Sequence, residues 1–256
     1  MVIYFLIGSF VLLLGLVIYM FMEAHRDVVQ TIQVKPDEFP ESFGTISIYF
    51  ISDIHRRIIS PSMLSSIKGK VDLVVIGGDL TEKRVPFTRV KENIKNLKEL
   101  GPTYFVWGNN DYEVDYHELD SILLDYGIKI LDNTAVSFES GQGEKLCLLG
   151  VDDYGTKRAR LDLALFDAEE ESFKILISHN PEIVKELKEQ HGIKLVLSGH
   201  THGGQIRFWK WGLHPKGGLK TMNGAKVFIS NGYGTTFLPL RLGAPAESNL
   251  IIVSKK

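Results

Sequence analysis

Leu195-Val196-Leu197-Ser198-Gly199-His200-Thr201-His202-Gly203-Gly204-Gln205 is an apolar run that ends in glycines bracketing two imidazoles one residue apart. The run reads as a short buried strand. Alternate side chains of an extended segment point the same way, so His200 and His202 are expected to reach into one pocket. The flanking glycines let backbone approach closely. Alone, a His-x-His pair fits an ordinary surface turn as well as a metal site. Four upstream blocks repeat its form. Ile46 to Ile51 leads into Ser52-Asp53-Ile54-His55, and Val71 to Ile76 into Gly77-Gly78-Asp79. Tyr104 to Trp107 leads into Gly108-Asn109-Asn110-Asp111, and Phe173 to Ile177 into Ser178-His179-Asn180-Pro181. In α/β sheets ligands bind beyond the carboxyl ends of strands, so the five blocks are expected to converge there.

The residue types fit two cations. Carboxylate oxygen and imidazole nitrogen suit manganese, iron or zinc, and the absence of cysteine from the five blocks argues against a thiolate-rich structural zinc site. A carboxylate bridges two ions where an imidazole does not, and Asp79 is the candidate bridge. Two ions about 3.5 to 4 Å apart hold a shared hydroxide at neutral pH and stabilise charge on a transferring phosphoryl group.

Asp53-x-His55, Gly78-Asp79, Gly108-Asn109-Asn110-Asp111, the lone His179 and Gly199-His200-x-His202 stand in one order between Asp53 and Gln205. In that order they resemble the motifs of the calcineurin-like metallophosphoesterases. The stretch from Asn231-Gly232-Tyr233-Gly234-Thr235 to Glu247 is similar to the closing segment of the membrane-associated bacterial members. The resemblance implies an α/β fold, a four-layer β-sandwich flanked by α-helices. It implies a first divalent metal on Asp53, His55, Asp79 and His202, and a second on Asp79, Asn109, His179 and His200. Asn109 would ligate through its side-chain oxygen, since the amide nitrogen only donates. The family's nucleophile is a metal-bridging water or hydroxide that attacks phosphorus in line with the leaving group.

One position departs from the family pattern. Where the family usually has Gly-Asn-His-Asp, this chain has Asn110, which donates a hydrogen bond but cannot transfer a proton. General acid catalysis is a factor of about 10² to 10⁴. Substrates with good leaving groups, phosphodiesters and pyrophosphates, are therefore expected to be favoured over alkyl monoesters. The alternative is a metal-binding scaffold or interaction protein of the same fold with weak or no catalysis because of Asn110. Asp111 is expected to support the site by holding a neighbouring side chain. Arg56, Arg57 and Arg241 are candidates for phosphate contact, with charge balance as their other reading. His117 is a candidate substitute acid or a solvated residue on a helix face.

Val2 to Met22 is an uncharged, mostly apolar run. At ~1.5 Å per residue it is long enough to cross ~30 Å of hydrocarbon. It lacks the basic leader and small-residue cut site of a signal peptide, so residues 1–22 are expected to form an uncleaved single-pass anchor in the cell membrane. Arg26 and Lys35 follow it with no basic residue before it, which by the positive-inside rule points to a cytoplasmic domain; a signal anchor with the domain outside is the alternative. Residues 23–43, with Pro36 and Pro40, read as a membrane-proximal linker with one early strand at Val28 to Val34, and residues 44–256 as the catalytic domain. A net charge of −2 lacks the basic field of a general nucleic-acid binder, so none is expected as partner; the expected partners are a phosphoester or pyrophosphate, lipid-linked in one version, and the membrane. Cys147 is the only cysteine, so no intrachain disulfide can form.

The rest of the chain is punctuated by helices early and strands late. Val90, Ile94, Leu97 and Leu100 have helical spacing, and Asn180-Pro181 reads as the cap and first turn of a helix over Glu182 to Glu189. Strands are expected at Leu146 to Gly150, Lys194 to Leu197, Gln205 to Phe208, Lys226 to Ile229 and Asn249 to Val253. The aromatic stretch Phe208-Trp209-Lys210-Trp211 has two readings, core or turn packing and a lip that meets the bilayer or a lipid tail.

Overall fold

Alternation inside the apolar runs decides the layers. In the computed structural model, which describes residues 1–256, strand β2 (Thr45–Ile51) turns Ile48 and Phe50 to one face of its sheet and Tyr49 and Ile51 to the other. All four are fully buried, so the run is apolar throughout, as befits a strand covered on both faces. The same division holds in β3 (Leu73–Ile76), where Leu73 and Val75 face inward and Val74 and Ile76 outward.

Two six-stranded sheets result. The first runs β1-β14-β2-β3-β4-β5, with β1 (Val29–Val34), β4 (Thr103–Phe105), β5 (Lys129–Ile130) and β14 (Ser248–Ser254). The second runs β12-β13-β9-β8-β7-β6, with β6 (Thr134–Glu139), β7 (Lys145–Gly150), β8 (Phe173–Ile177), β9 (Ile193–Ser198), β12 (Gly218–Met222) and β13 (Ala225–Ile229). Their inner faces share a core that includes Phe50, Val75, Leu148, Ile175, Leu197 and Phe228. Fully burying an aliphatic or Phe side chain stabilises by roughly 1.5 to 3 kcal/mol, so this slab dominates the cohesion between the sheets. The outer face of the first sheet packs on α2 (Pro61–Ser65), α3 (Phe87–Lys98) and α4 (Tyr116–Asp125); that of the second packs on α5 (Leu161–Asp167) and short 3₁₀ turns. This is a four-layer sandwich flanked by helices.

The expected helix around Val90 is α3, with Val90, Ile94 and Leu97 buried and Lys95 and Lys98 in its last turn, where cations suit the helix dipole. Pro181–Glu186 is a 3₁₀ turn rather than an α-helix, although the Asn180 side chain caps it as expected by accepting from Glu182 N at 2.9 Å. The expected strand over Gln205 to Phe208 shrinks to β10 (Arg207–Phe208), half of a small antiparallel hairpin with β11 (Trp211–Gly212). Its aromatic residues are exposed, so the core-packing reading of Phe208-Trp209-Lys210-Trp211 fails.

The segment 23–43 is not a free linker. Its strand β1 pairs in parallel with β14, from Val29 opposite Ser248 to Val34 opposite Val253, and Phe39 is buried edge-on against Phe173 at 5.1 Å between ring centroids. A β-branched, half-apolar run beside an open sheet edge gains a full ladder of backbone hydrogen bonds, which a solvated linker forgoes. Helix α1 (Val2–Ala24) is long and apolar enough to cross a membrane, and most of its surface is exposed. Only its last turn touches the domain, with Met20 and Ala24 buried, Arg241 N donating to Met20 O at 2.9 Å and Ala246 N to Glu23 O at 3.1 Å.

Candidate metal centre

The five motif blocks follow β2, β3, β4, β8 and β9. Within the first sheet β2, β3 and β4 are parallel, and within the second so are β8 and β9, which gathers their carboxyl ends along one rim. The chain leaves these strands in left-handed turns. Asp53, His55, Asp79, His200 and His202 have φ of 55°, 51°, 51°, 69° and 50°. Such a conformation costs a non-glycine residue about 1 to 3 kcal/mol and persists only where the surroundings enforce it. Here Asp53 N donates to Gly78 O at 3.0 Å, Ile54 N to Asp79 O at 2.8 Å, and His200 N to Asp53 Oδ1 at 3.0 Å, tying three blocks into one frame. Gly199 permits the packing, since a Cβ there would collide with the Asp53 carboxylate and Ser52.

Two side-chain groups result: Asp53, His55 and His202, and Asp79, His179 and His200, each with donor atoms within 4.8 Å of one another. His200 and His202 enter different groups of one contiguous centre, and the segment between them is a turn and not the extended strand expected. Asp79 joins the groups. Its Oδ2 lies 3.2 Å from His179 Nε2 and 3.8 Å from His55 Nε2, while its Oδ1 accepts from Asn110 N at 2.8 Å.

The groups behind the donors fix their orientation. His179 Nδ1 lies 2.9 Å from Gly77 O, so this nitrogen carries the proton and Nε2 faces Asp79. Glu82 Oε2 stands 3.1 Å from His55 Nδ1 in the same role, and Arg56 pairs with the other oxygen of Glu82. Asp111, fully buried, accepts from Asp79 N at 2.8 Å, Gly108 N at 2.9 Å and Thr81 N at 3.0 Å; it holds backbone, where a neighbouring side chain was expected. Burial and the nearby Asp79 carboxylate push the Asp111 carboxyl up to about 7.

The rim is built for positive charge. Burial alone would lower the His179 imidazole, yet the Asp79 carboxylate against it lifts it to about 10. Burial, then the His55 ring and the Arg241 guanidinium, hold the His202 imidazole well below its usual range. His55 Nε2 and His202 Nε2 approach to 3.1 Å, and His200 Nδ1 and His179 Nε2 to 3.2 Å. Two lone pairs so close repel unless a proton or a cation lies between them. Asn109 Oδ1 is buried without a hydrogen-bond partner, its own amide nitrogen being engaged by Asn110 Oδ1. A hard or borderline divalent cation fits this set of oxygen and nitrogen donors.

The arginine candidates separate. Arg241 is fully buried and donates to the carbonyl oxygens of His202, Gly232, Gly234 and Ala244, with its guanidinium 3.1 Å from His202 Nδ1. Arg57 bonds Asp27 Oδ1 at 2.6 Å and Tyr233 O at 2.7 Å and stacks 3.7 Å over the Tyr233 ring, so it clamps the end of α1 to the domain. Neither is free for phosphate. Arg56, largely exposed beside Glu82, keeps that capacity. His117 sits on the solvent side of α4, its ring tilted against Tyr116 at 4.1 Å between centroids, outside both groups. Glu82 stands three residues after Asp79 in a non-helical loop, and its only signal in the sequence is a carboxylate close behind a metal-binding motif. A cavity of about 460 Å³ opens beside His200, lined also by Asn180 and His214, and shares His214 and Pro215 with a second cavity that reaches Trp209.

A family model described as Calcineurin-like phosphoesterase matches residues 46–204, a span that contains both groups. The chain belongs to that family. Members are phosphoester hydrolases that use divalent metals. The chain is 46% identical over 208 residues, 80% of each protein, to the uncharacterized protein YpbG of Bacillus subtilis. It is 29% identical over 182 residues to phosphodiesterase YaeI of Escherichia coli, covering 66% of this chain and 65% of that one. The solved structure of Thermus thermophilus sulfate thiohydrolase SoxB in complex with glycerol superposes with a TM-score of 0.55 at 16% identity, over 82% of this chain and 57% of that one, a likeness of fold.

Proposed function

We propose that this protein is a dinuclear metallophosphoesterase, anchored by α1 in the cell membrane, that hydrolyses phosphodiesters or pyrophosphates in preference to alkyl monoesters. The observation that carries the reading is the place of Asp79 Oδ2, within 3.8 Å of an imidazole nitrogen from each group, so that one carboxylate serves both. Asp53, His55 and His202 would hold one cation with Asp79, and Asn109, His179 and His200 the other. Divalent cations there supply Lewis acidity for a phosphoryl oxygen and a water of lowered pKa.

The chain's own residues define the rest. Asn110 is held by its backbone against Asp79 and offers an amide, which can steady a phosphoryl oxygen by hydrogen bonding and leaves no proton for the leaving group. Arg56 is the side chain with freedom to meet phosphate. The phosphodiesterase name of the YaeI relative agrees with the diester preference. The paired cavities leading from His200 to Trp209 would accommodate a lipid-linked phosphoester at the membrane surface.

The test uses the full chain in detergent, stripped of metal and reloaded with manganese, with an aryl phosphodiester and an aryl phosphomonoester as substrates. Manganese-dependent cleavage favouring the diester, lost in Asp79→Asn, is expected. A protein that binds two manganese ions and cleaves neither substrate would instead favour the metal-binding scaffold, the reading that Asn110 supports.

A further inference from the structure

The depth at which the domain grips α1 has a consequence for the loops around that grip. Arg241 N bonds Met20 O, two residues inside the end of the uncharged run at Met22. At ~1.5 Å per residue, the loop carrying Arg241 reaches about 3 Å up the apolar helix. That loop presents Phe237, 95% exposed, and Leu238. It is stapled to the β10–β11 hairpin: Gln205 Nε2 donates to Thr236 O at 3.0 Å and Leu238 O at 3.1 Å, and Arg207 N to Leu242 O at 2.8 Å. The hairpin in turn presents Phe208, Trp209 and Trp211, the last two 90% and 82% exposed, followed by Leu213. Helix end, loop and hairpin are therefore tied together by hydrogen bonds. Lys210 stands 5.8 Å from the Trp209 ring.

A soluble surface rarely leaves several large apolar side chains open together. Tryptophan beside lysine suits the headgroup boundary, where the ring is half in hydrocarbon and the ammonium meets anionic lipid. We propose that Phe208, Trp209, Trp211, Leu213, Phe237 and Leu238 form a second membrane contact, lying in the interfacial layer of the bilayer that α1 crosses. With the end of α1 already clamped to the domain, the contact sets the face that the domain turns to the lipid surface. It rests on the reading of α1 as an anchor.

Full-length protein in vesicles containing anionic lipid tests it. The chain has three tryptophans, and Trp107 is buried within the domain, so the face is read by Trp209 and Trp211. Lipids brominated high on the acyl chain should lower the emission about two-fold and leave the Trp209→Ser/Trp211→Ser protein nearly unquenched. Vesicle-bound protein whose emission is quenched by aqueous iodide and not by brominated lipid would overturn the contact while leaving the anchor standing. Protection from both quenchers, with emission that depends on protein density, would also overturn it, in favour of a contact between copies of the chain. Protein that fails to float with the vesicles would overturn anchor and contact together.

Discussion

Replacing Glu82 by glutamine should weaken one cation site and spare the other. Glu82 Oε2 lies 3.1 Å from His55 Nδ1, both side chains being buried, and its other oxygen is held by Arg56. Carboxylates that orient a ligating imidazole through its far nitrogen are worth about 10- to 100-fold in metal affinity. The contact is off the ideal hydrogen-bonding direction, since His55 Nδ1 makes no geometrically good bond, and glutamine retains an oxygen at the same reach. We therefore expect the lower end of that range, about tenfold or ~1.4 kcal/mol. His179 is oriented by a backbone carbonyl, which the substitution leaves alone. Calorimetric titration of manganese into the metal-free full chain should accordingly show two sites in the wild type and, in Glu82→Gln, one weakened about tenfold beside one unchanged. Arg56→Ala is the control, since it removes the Arg56–Glu82 pair and keeps the carboxylate on His55. Equal weakening of both sites, or a loss as large in Arg56→Ala as in Glu82→Gln, would refute the assignment of Glu82 to His55.

Two further outcomes follow from the same geometry. Arg241→Met should leave several buried carbonyls without donors, each worth about 1 to 3 kcal/mol, for a total near 3 to 5 kcal/mol after relaxation, and Arg241→Lys should not restore it because an ammonium cannot span four acceptors. Urea unfolding measures this directly, and a midpoint unchanged in Arg241→Met would show the bonds to be dispensable. Asn110→His should raise turnover of an alkyl phosphomonoester by about 10² while changing that of an aryl diester far less; steady-state rates on the two substrates decide, and an equal change in both would mean that proton donation to the leaving group is not what Asn110 limits.

What could be read from the chain itself was set by short-range pattern. The runs before Asp53, Asp79, Asn109, His179 and His200 are mostly apolar, broken only near their starts by Ser47, Asp72, Lys174 and Lys194, because both faces of each sheet are covered, and that pattern marks strands at close to their true bounds. The site gathered by those strands was legible for the same reason. The manner in which His200 and His202 diverge was not, because left-handed turns at both residues are enforced by contacts with Asp53 and Arg241, far away in sequence. Arg241 and Arg57 look alike as sequence and differ only in what surrounds them: one lies in a cage of carbonyls, the other under a tyrosine ring. Val28 to Val34 was visible as a strand, yet the partner of the observed Val29–Val34, Ser248 to Val253, lies far along the chain, so nothing nearby distinguished a sheet edge from a tether.

That partnership orders events in time. Strand β14 sits between β1 and β2, and the ribosome makes it long after both. At about 5 to 20 residues per second, the two early strands wait for their shared neighbour while the rest of the first sheet and the whole second sheet are already made. The first sheet cannot close before β14 is made, and Asp53, at the end of β2, stays beside an unfinished edge until then. The group that holds Asp53 therefore takes its final form only once β14 is in place, the last strand of the sheet to be made.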